Sequence, residues 1–206
     1  VLDAGEFVRR VGDKLIHVTL AENVVSIERH GLMRPRRMAE ACGVDPESVL
    51  LRSDAVFLSK GDLKARLNHQ RPLRAGRAQE SAFLDAHTLE SWAAQLDERL
   101  FFWAQRRGHA FAASLKDRGA QTVLELDSRR FFDAFVEYID LSPINSGSAM
   151  RRASLRGDWI YVPVTAGWEA FATNRIERGL AKTRDSVVEV SLRGDIPAQT
   201  LSHLIV

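Results

Sequence analysis

Apolar and polar positions follow two different rhythms along this chain. Leu15-Ile16-His17-Val18 is a short apolar run with a histidine inside it, and it reads as a strand. Leu20, Val24 and Ile27 then recur at helical spacing, opposite Glu22, Ser26 and Arg29, which predicts a helix over Leu20–His30. Thr19 with Glu22 three residues on has the spacing of a capping box, and Gly31 suits a left-handed helix stop. His17 therefore stands near the end of a strand, two residues before a capped helix. Polar side chains there point into ligand crevices, and the following N–H groups favour an anion.

The same patterns predict helices over Glu6–Val11, Pro35–Cys42, Pro46–Leu51, Gly108–Arg118 and Phe131–Ile139, the last behind Ser128. Thr88 caps another, in which Leu89, Trp92, Ala93 and Leu96 share a face, and Trp168–Phe171 forms a single turn. Strands are expected at Leu100–Trp103, Thr122–Leu126, Trp159–Val164 and Ser186–Leu192, with a last one at Leu201–Val206. Ala55–Ser59 fits a strand or a buried loop. Lys60–Gln79 carries charge without a clear period and reads as a loop or insertion with a brief helix at Leu63–Leu67, and Asn145–Ser148 is a polar loop. Strands and helices mix without the even alternation of a doubly wound sheet, so the fold class is α+β. A length of 206 residues fits one domain, with a basic loop or insertion at about 60–80.

Charge sharpens this picture. The net charge is only +2, but Arg29–Arg37 holds four arginines and no acid. Lys60, Lys64, Arg66, Arg71, Arg74 and Arg77 make seven potential cations with His69, against Asp62 alone. Arg151, Arg152 and Arg156 form a third cluster. Such clusters suit phosphate-bearing ligands or nucleic acid, and equally an arginine-rich solvated surface. Cys42 is the single cysteine. That excludes a disulfide framework and points to a reducing compartment, hence a cytoplasmic location. No apolar run has the length of a membrane span and no signal peptide is visible. Val1 in place of Met suggests a processed or trimmed start.

Two acids sit inside apolar strands: Glu189 in Val187-Val188-Glu189-Val190 and Glu125 in Val123-Leu124-Glu125-Leu126. A carboxylate there is costly unless it meets water or a partner, so both are candidates for a catalytic acid. No Walker loop, G-x-G-x-x-G or G-x-S-x-G occurs, and the six histidines show no metal-ligand spacing. Cys42 reads as a small core residue.

The ordered set of His17 with Thr19, an aromatic strand and a strand-borne Glu resembles the ADP-ribosyltransferase-like fold. The opening LIHVTLAENVVSIERHGL is similar to the YHxT opening of several bacterial families with that fold. They include DNA-modifying transferases of toxin–antitoxin systems and RNA 2′-phosphotransferases. RLFFWAQ resembles the second motif and VVEV the third. The chain also resembles a bacterial family of unsettled activity that shares GLM, the Arg71-Pro72-Leu73 loop, FFW, INSGSAM and RGDWIYVPV. The resemblance implies a split-sheet core and NAD as the cofactor. It implies that His17 bonds a ribose hydroxyl, that Thr19 supports the nicotinamide side, and that Phe101, Phe102 and Trp103 form an aromatic wall. Glu189 would polarise a ribose hydroxyl and stabilise oxocarbenium-like charge. Arg34, Arg36 and Arg71, with the helix start after Thr19, would meet the pyrophosphate. Val187 stands where many protein-modifying members carry Glu or Gln, and Phe-Phe-Trp replaces a Ser-Thr-Ser run. Nucleic acid, a small molecule or plain hydrolysis of NAD therefore remain as acceptors. Two rivals stand beside this expectation: an RNA 2′-phosphotransferase-like enzyme that leans on arginines, and a non-enzymatic nucleotide or nucleic-acid binding module. The transferase expectation requires that His17, Phe101–Trp103 and Glu189 line one pocket, bordered by Lys60–Arg77.

Overall fold

The computed structural model describes residues 2–73, 83–113, 120–149, 155–180 and 187–206. Eight strands and eight α-helices are described there: α1 (Ala4–Val11), β1 (Lys14–Leu20), α2 (Val24–His30), α3 (Pro35–Ala41), β2 (Val56–Lys60), β3 (Leu63–Leu67), α4 (Leu89–Asp97), β4 (Leu100–Ala104), α5 (Gln105–Ala113), β5 (Gln121–Asp127), α6 (Ser128–Phe135), β6 (Ile139–Ser142), β7 (Val162–Pro163), α7 (Gly167–Glu177), β8 (Glu189–Leu192) and α8 (Ala198–Leu204). The fold is α+β. Six strands form one antiparallel sheet in the order β5-β1-β4-β8-β6-β7, and β2 and β3 form a separate hairpin.

The sheet is forked. β1 pairs with β5 along seven residues but with β4 at only Leu15↔Ala104 and Ile16↔Trp103. Beyond Ile16 the two central strands part.

Cross-strand partners share a face. One face carries Leu15, Leu126, Phe102, Val190, Leu192, Leu141 and Ile139, all apolar, and packs against Phe7 of α1, Phe131 and Phe132 of α6, and Leu201 and Leu204 of α8. The other face is mixed. Ile16 and Trp103 lie under α5, where Trp103 stacks on Phe111 at 4.5 Å. A Cβ at Gly108 would collide with Ile16, so the glycine permits the close approach of α5. Further along, Phe101, Glu189, Ser191, Asp140 and Ser142 lie under a second core built from Trp92 and Leu96 of α4 with Leu73, Phe83, Ile160 and Tyr161. A third core joins Met38 and Ala39 of α3 to Leu58, Leu63, Ala65 and Leu67 of the hairpin.

Several elements differ from the sequence pattern. Thr19 is no helix cap: β1 runs through Leu20, a 3₁₀ turn follows at Ala21–Asn23, and the Thr19 hydroxyl accepts from Asn23 Nδ2 at 3.3 Å. The seven-residue ladder with β5 outweighs the local capping preference. Leu63–Leu67 is a strand, with Leu63, Ala65 and Leu67 inward and Lys64 and Arg66 outward. Asp127 rather than Ser128 caps α6, accepting from the Arg130 N–H, and Ile139 begins a strand. Trp159–Val164 divides into a 3₁₀ turn at Asp158–Ile160 and the short β7. The turn expected at Trp168–Phe171 is the start of the eleven-residue α7, and Leu201–Val206 is helix α8 with two further residues. The helix expected over Gly108–Arg118 is α5, which starts earlier, and residues 114–118 lie outside the described residues.

Candidate functional site

Glu189 opens β8 between Trp103 of β4 and Ser142 of β6, and is only 5% exposed. An isolated carboxylate at such a place is unstable. Ser146 supplies two donors, its backbone N–H at 2.9 Å and its hydroxyl at 2.7 Å, both to Oε2. Oε1 accepts no hydrogen bond from the described residues. Burial pushes the Glu189 carboxyl up to about 7, against the Ser146 donors and the Arg156 charge, which pull it down. Near neutral pH the group therefore divides between its two protonation states. Ser191, on the same strand face, accepts from Arg99 Nη1 at 3.2 Å.

The turn that carries Ser146 is held from outside. Trp92 Nε1 donates to the Ser146 carbonyl at 3.3 Å. Arg156 Nη2 donates to the carbonyls of Asn145, at 3.1 Å, and Ser148. The Ala149 N–H donates to Pro72. Tyr161 stacks on Trp92 at 5.9 Å, with the Arg99 guanidinium 3.8 Å over its ring. Burial pushes the Tyr161 hydroxyl far above its ordinary range, with the nearby Ser146 side chain pulling the other way. Arg99 and Arg193 both pair with Asp140.

The comparisons bear on this whole region. Residues 13–203 match the profile of a family of unknown function, DUF7002. The chain belongs to that family. No curated protein matches it. The matched span of this DUF7002 member contains β1, the Asn145–Ser148 turn and β8.

His17 occupies the fork. Its Nδ1 lies 2.9 Å from the Phe101 carbonyl, and its ring packs against Phe102 at 5.5 Å between centroids. A carbonyl only accepts, so Nδ1 carries the proton. Desolvation favours the neutral imidazole and lowers the basicity of His17, partly offset by the Phe101 carbonyl, which accepts from the ring. The register sets Ile16, Trp103 and Glu189 in one row on one face, so His17, the next residue, points to the other. The expected single pocket is therefore not what the register builds. His17, Thr19 and Phe102 share the face of the main core, whereas Phe101 and Trp103 share that of Glu189.

The arginines expected at a pyrophosphate already have acidic partners in this DUF7002 chain. Arg34 pairs with Asp195 at 3.1 Å and Glu98 at 2.9 Å. Arg36 pairs with Glu40, Glu47 and Glu98. Arg71 pairs with Asp54 at 2.5 Å and donates to the Ser53 carbonyl. Lys60 and Lys64 are exposed on the hairpin, and Arg66 pairs with Glu22 at 3.0 Å. Arg74, Arg77, Arg151 and Arg152 lie outside the described residues. Of the described part of the basic stretch, the Arg71–Leu73 turn reaches the Glu189 loop, through Pro72 and Ala149.

Glu125, the rival acid, sits on the edge strand β5 with Lys14 at 2.5 Å and His109 at 3.5 Å. Among the described residues no cluster of three His, Cys, Asp or Glu could hold a metal, and no helix is long and apolar enough to cross a membrane. Sequence reasoning missed Ser146, Trp92 and Tyr161 as members of the site. The INSGSAM and WIYVPV stretches carried the signal, since a Ser-Gly turn and a buried Tyr beside a strand glutamate are polar groups that need partners.

Proposed function

We propose that this chain binds NAD at the Glu189 end of the mixed face and transfers its ADP-ribose to an acceptor. The observation that carries the reading is the Glu189 carboxylate itself: a rigid strand holds it, two donors fix Oε2, and Oε1 is left to a ligand. Phe101 and Trp103 share its face and are the aromatic rings nearest in register for a nicotinamide, Trp103 already stacked on Phe111 on one side. The forked β1–β4 junction and the likeness of the chain's opening to ADP-ribosyltransferase-like families support the same reading. In the reaction the bond from ribose C1 to the nicotinamide nitrogen breaks, and nicotinamide leaves with the electron pair. Ionised Glu189 offsets the positive charge that develops on the ribose. The acceptor's nucleophile then bonds C1 and gives up its proton. The register sets His17 on the opposite face of the sheet, so the pocket shared with His17 that the family resemblance implied is no part of this reading, which rests on Glu189 with Phe101 and Trp103. The arginine-dependent 2′-phosphotransferase alternative draws less support, because Arg34, Arg36 and Arg71 are engaged by acids.

A second reading rests on one observation. Both Ser146 donors serve Glu189, which suits a structural post in a non-enzymatic binding module. The test is release of free nicotinamide from NAD, beside calorimetric binding. Release that disappears in Glu189→Gln supports the transferase; binding without release supports the module; neither release nor binding removes NAD from the account.

A further inference from the structure

We infer that the Asn145–Ser148 turn is a positioning device for Glu189, fixing the carboxylate through Ser146 by one oxygen and presenting the other to the ligand. The inference rests on Glu189 being the acid that meets the ligand.

The turn is wound by groups distant in sequence. Arg156 takes the carbonyls at Asn145 and Ser148, and Trp92 takes the one between them. With those carbonyls committed, the Ser146 N–H and hydroxyl both turn to Oε2. Ser146 is 1% exposed, so water does not compete for these donors. Among the described residues, the other two buried acids are treated differently. Asp97 is gripped by Arg52 through both oxygens, and Asp140 is paired with Arg99 and Arg193. Among the described residues Glu189 accepts hydrogen bonds from Ser146 alone, on one oxygen, with the Arg156 charge acting on it without a described hydrogen bond. A guanidinium would hold the charge too firmly for a group that must respond to a ligand, whereas a serine fixes direction and leaves charge in reserve. The charged and titratable groups around it are Arg156 from the segment after Leu155, Tyr161 before β7, and Arg99 with Asp140 beyond the tyrosine. Tyr161 faces the Ser146 side chain, so its hydroxyl is a second polar group at the same place.

The test follows the Glu189 carboxyl directly by carbon NMR in wild type, Ser146→Ala and Ser146→Thr, with Glu189→Gln assigning the signal. A hydrogen bond to a charged group is worth about 1.5–3 kcal/mol, so loss of the hydroxyl should raise the Glu189 midpoint by about one to two pH units. Ser146→Thr keeps the hydroxyl and should hold the midpoint near wild type. Should Ser146→Ala fail to fold, Ser146→Cys replaces it, since a thiol is a weak donor and the midpoint should still rise. In nicotinamide release from NAD, the acid limb of the pH profile should move upward with the midpoint while KM changes little. A folded Ser146→Ala or Ser146→Cys protein with an unmoved midpoint overturns the positioning role. Absence of nicotinamide release from wild type at every pH overturns the NAD reading instead, and the carboxyl titration still decides the role of Ser146.

Discussion

Trp103 stands directly across the β4–β8 ladder from Glu189, and on its other side it stands across from Ile16. That row fixes the faces of the sheet around the fork. It puts the buried acid beside an indole and sends His17 toward the main core. The chemistry of the two residues separates accordingly: among the described residues Glu189 accepts bonds on one oxygen only, whereas the one described polar bond of His17 goes to a backbone carbonyl.

Glu189→Gln should therefore be the decisive substitution for turnover. It keeps shape and one acceptor but removes the charge. Loss of one preorganised electrostatic group costs about a hundredfold to a thousandfold in rate, roughly 3 to 4 kcal/mol. NAD affinity by calorimetry should change little, because the charge acts mainly on the transition state. Glu125→Gln is the matched control. Its carboxylate is held by Lys14 on an edge strand, so nicotinamide release should stay at the wild-type level. Equal turnover in wild type and Glu189→Gln would refute the catalytic role.

The same acid should leave a mark on stability. Its carboxyl rises from 4.5 to about 7 on folding, so between those values the folded state binds more protons than the unfolded one. Stability attributable to this group is then highest below about pH 4.5 and falls as pH rises to 7, by about 3 kcal/mol. Glu189→Gln removes the dependence. Urea unfolding of both proteins across this range should show the variant gaining on wild type as pH rises. Parallel stability curves would mean the carboxylate is not desolvated.

Much of the frame was legible in the chain itself. Leu100–Trp103 is aromatic enough to read as a strand, Thr88 caps α4, and Gly31 ends α2 at φ 84°. Local chemistry determines these features. The failures share a cause as well. Thr19 loses its capping role to a tertiary ladder, and the charges of Lys64 and Arg66 hid the period of two in β3. Glu189 was visible as an acid in an apolar strand, but Ser146, 43 residues away, was not visible as its partner. Nor was the face of His17 relative to Glu189. That relation depends on the registers of two ladders, and no local pattern encodes a register.

His17 should act on stability with the opposite slope. Desolvation lowers its basicity below the ordinary 6.5, so in acid the unfolded chain takes up a proton that the folded chain resists. Stability from the neutral ring is present above about pH 6.5 and is lost as pH falls below it. His17→Gln can still donate to the Phe101 carbonyl and does not titrate. Thermal melts from pH 7 to pH 5 should show wild type losing more than the variant. An equal loss in both would place the acid sensitivity elsewhere.

The hairpin offers the surface on which a nucleic-acid acceptor would first register. Phe57 is 59% exposed and stands across from Arg66, and Ser59 stands across from the exposed Lys64. One outward face thus joins an aromatic ring to cations, the combination that stacks bases and meets phosphates on single strands. Arg66 is shared with Glu22, so Lys64 is the better phosphate contact on this face; Lys60 stands across from the inward Leu63. For a single-stranded oligonucleotide, each phosphate contact adds about 0.7 to the slope of log affinity against log salt. Lys64→Gln should reduce that slope by about 0.7. Phe57→Ala should weaken binding by about 1 to 3 kcal/mol with the slope unchanged, because stacking releases no counterions. Fluorescence anisotropy across a salt series separates the two effects. Binding that ignores salt, or that the two substitutions leave untouched, would assign this face to solvent and move the acceptor question to the Arg71–Ala149 rim of the Glu189 loop.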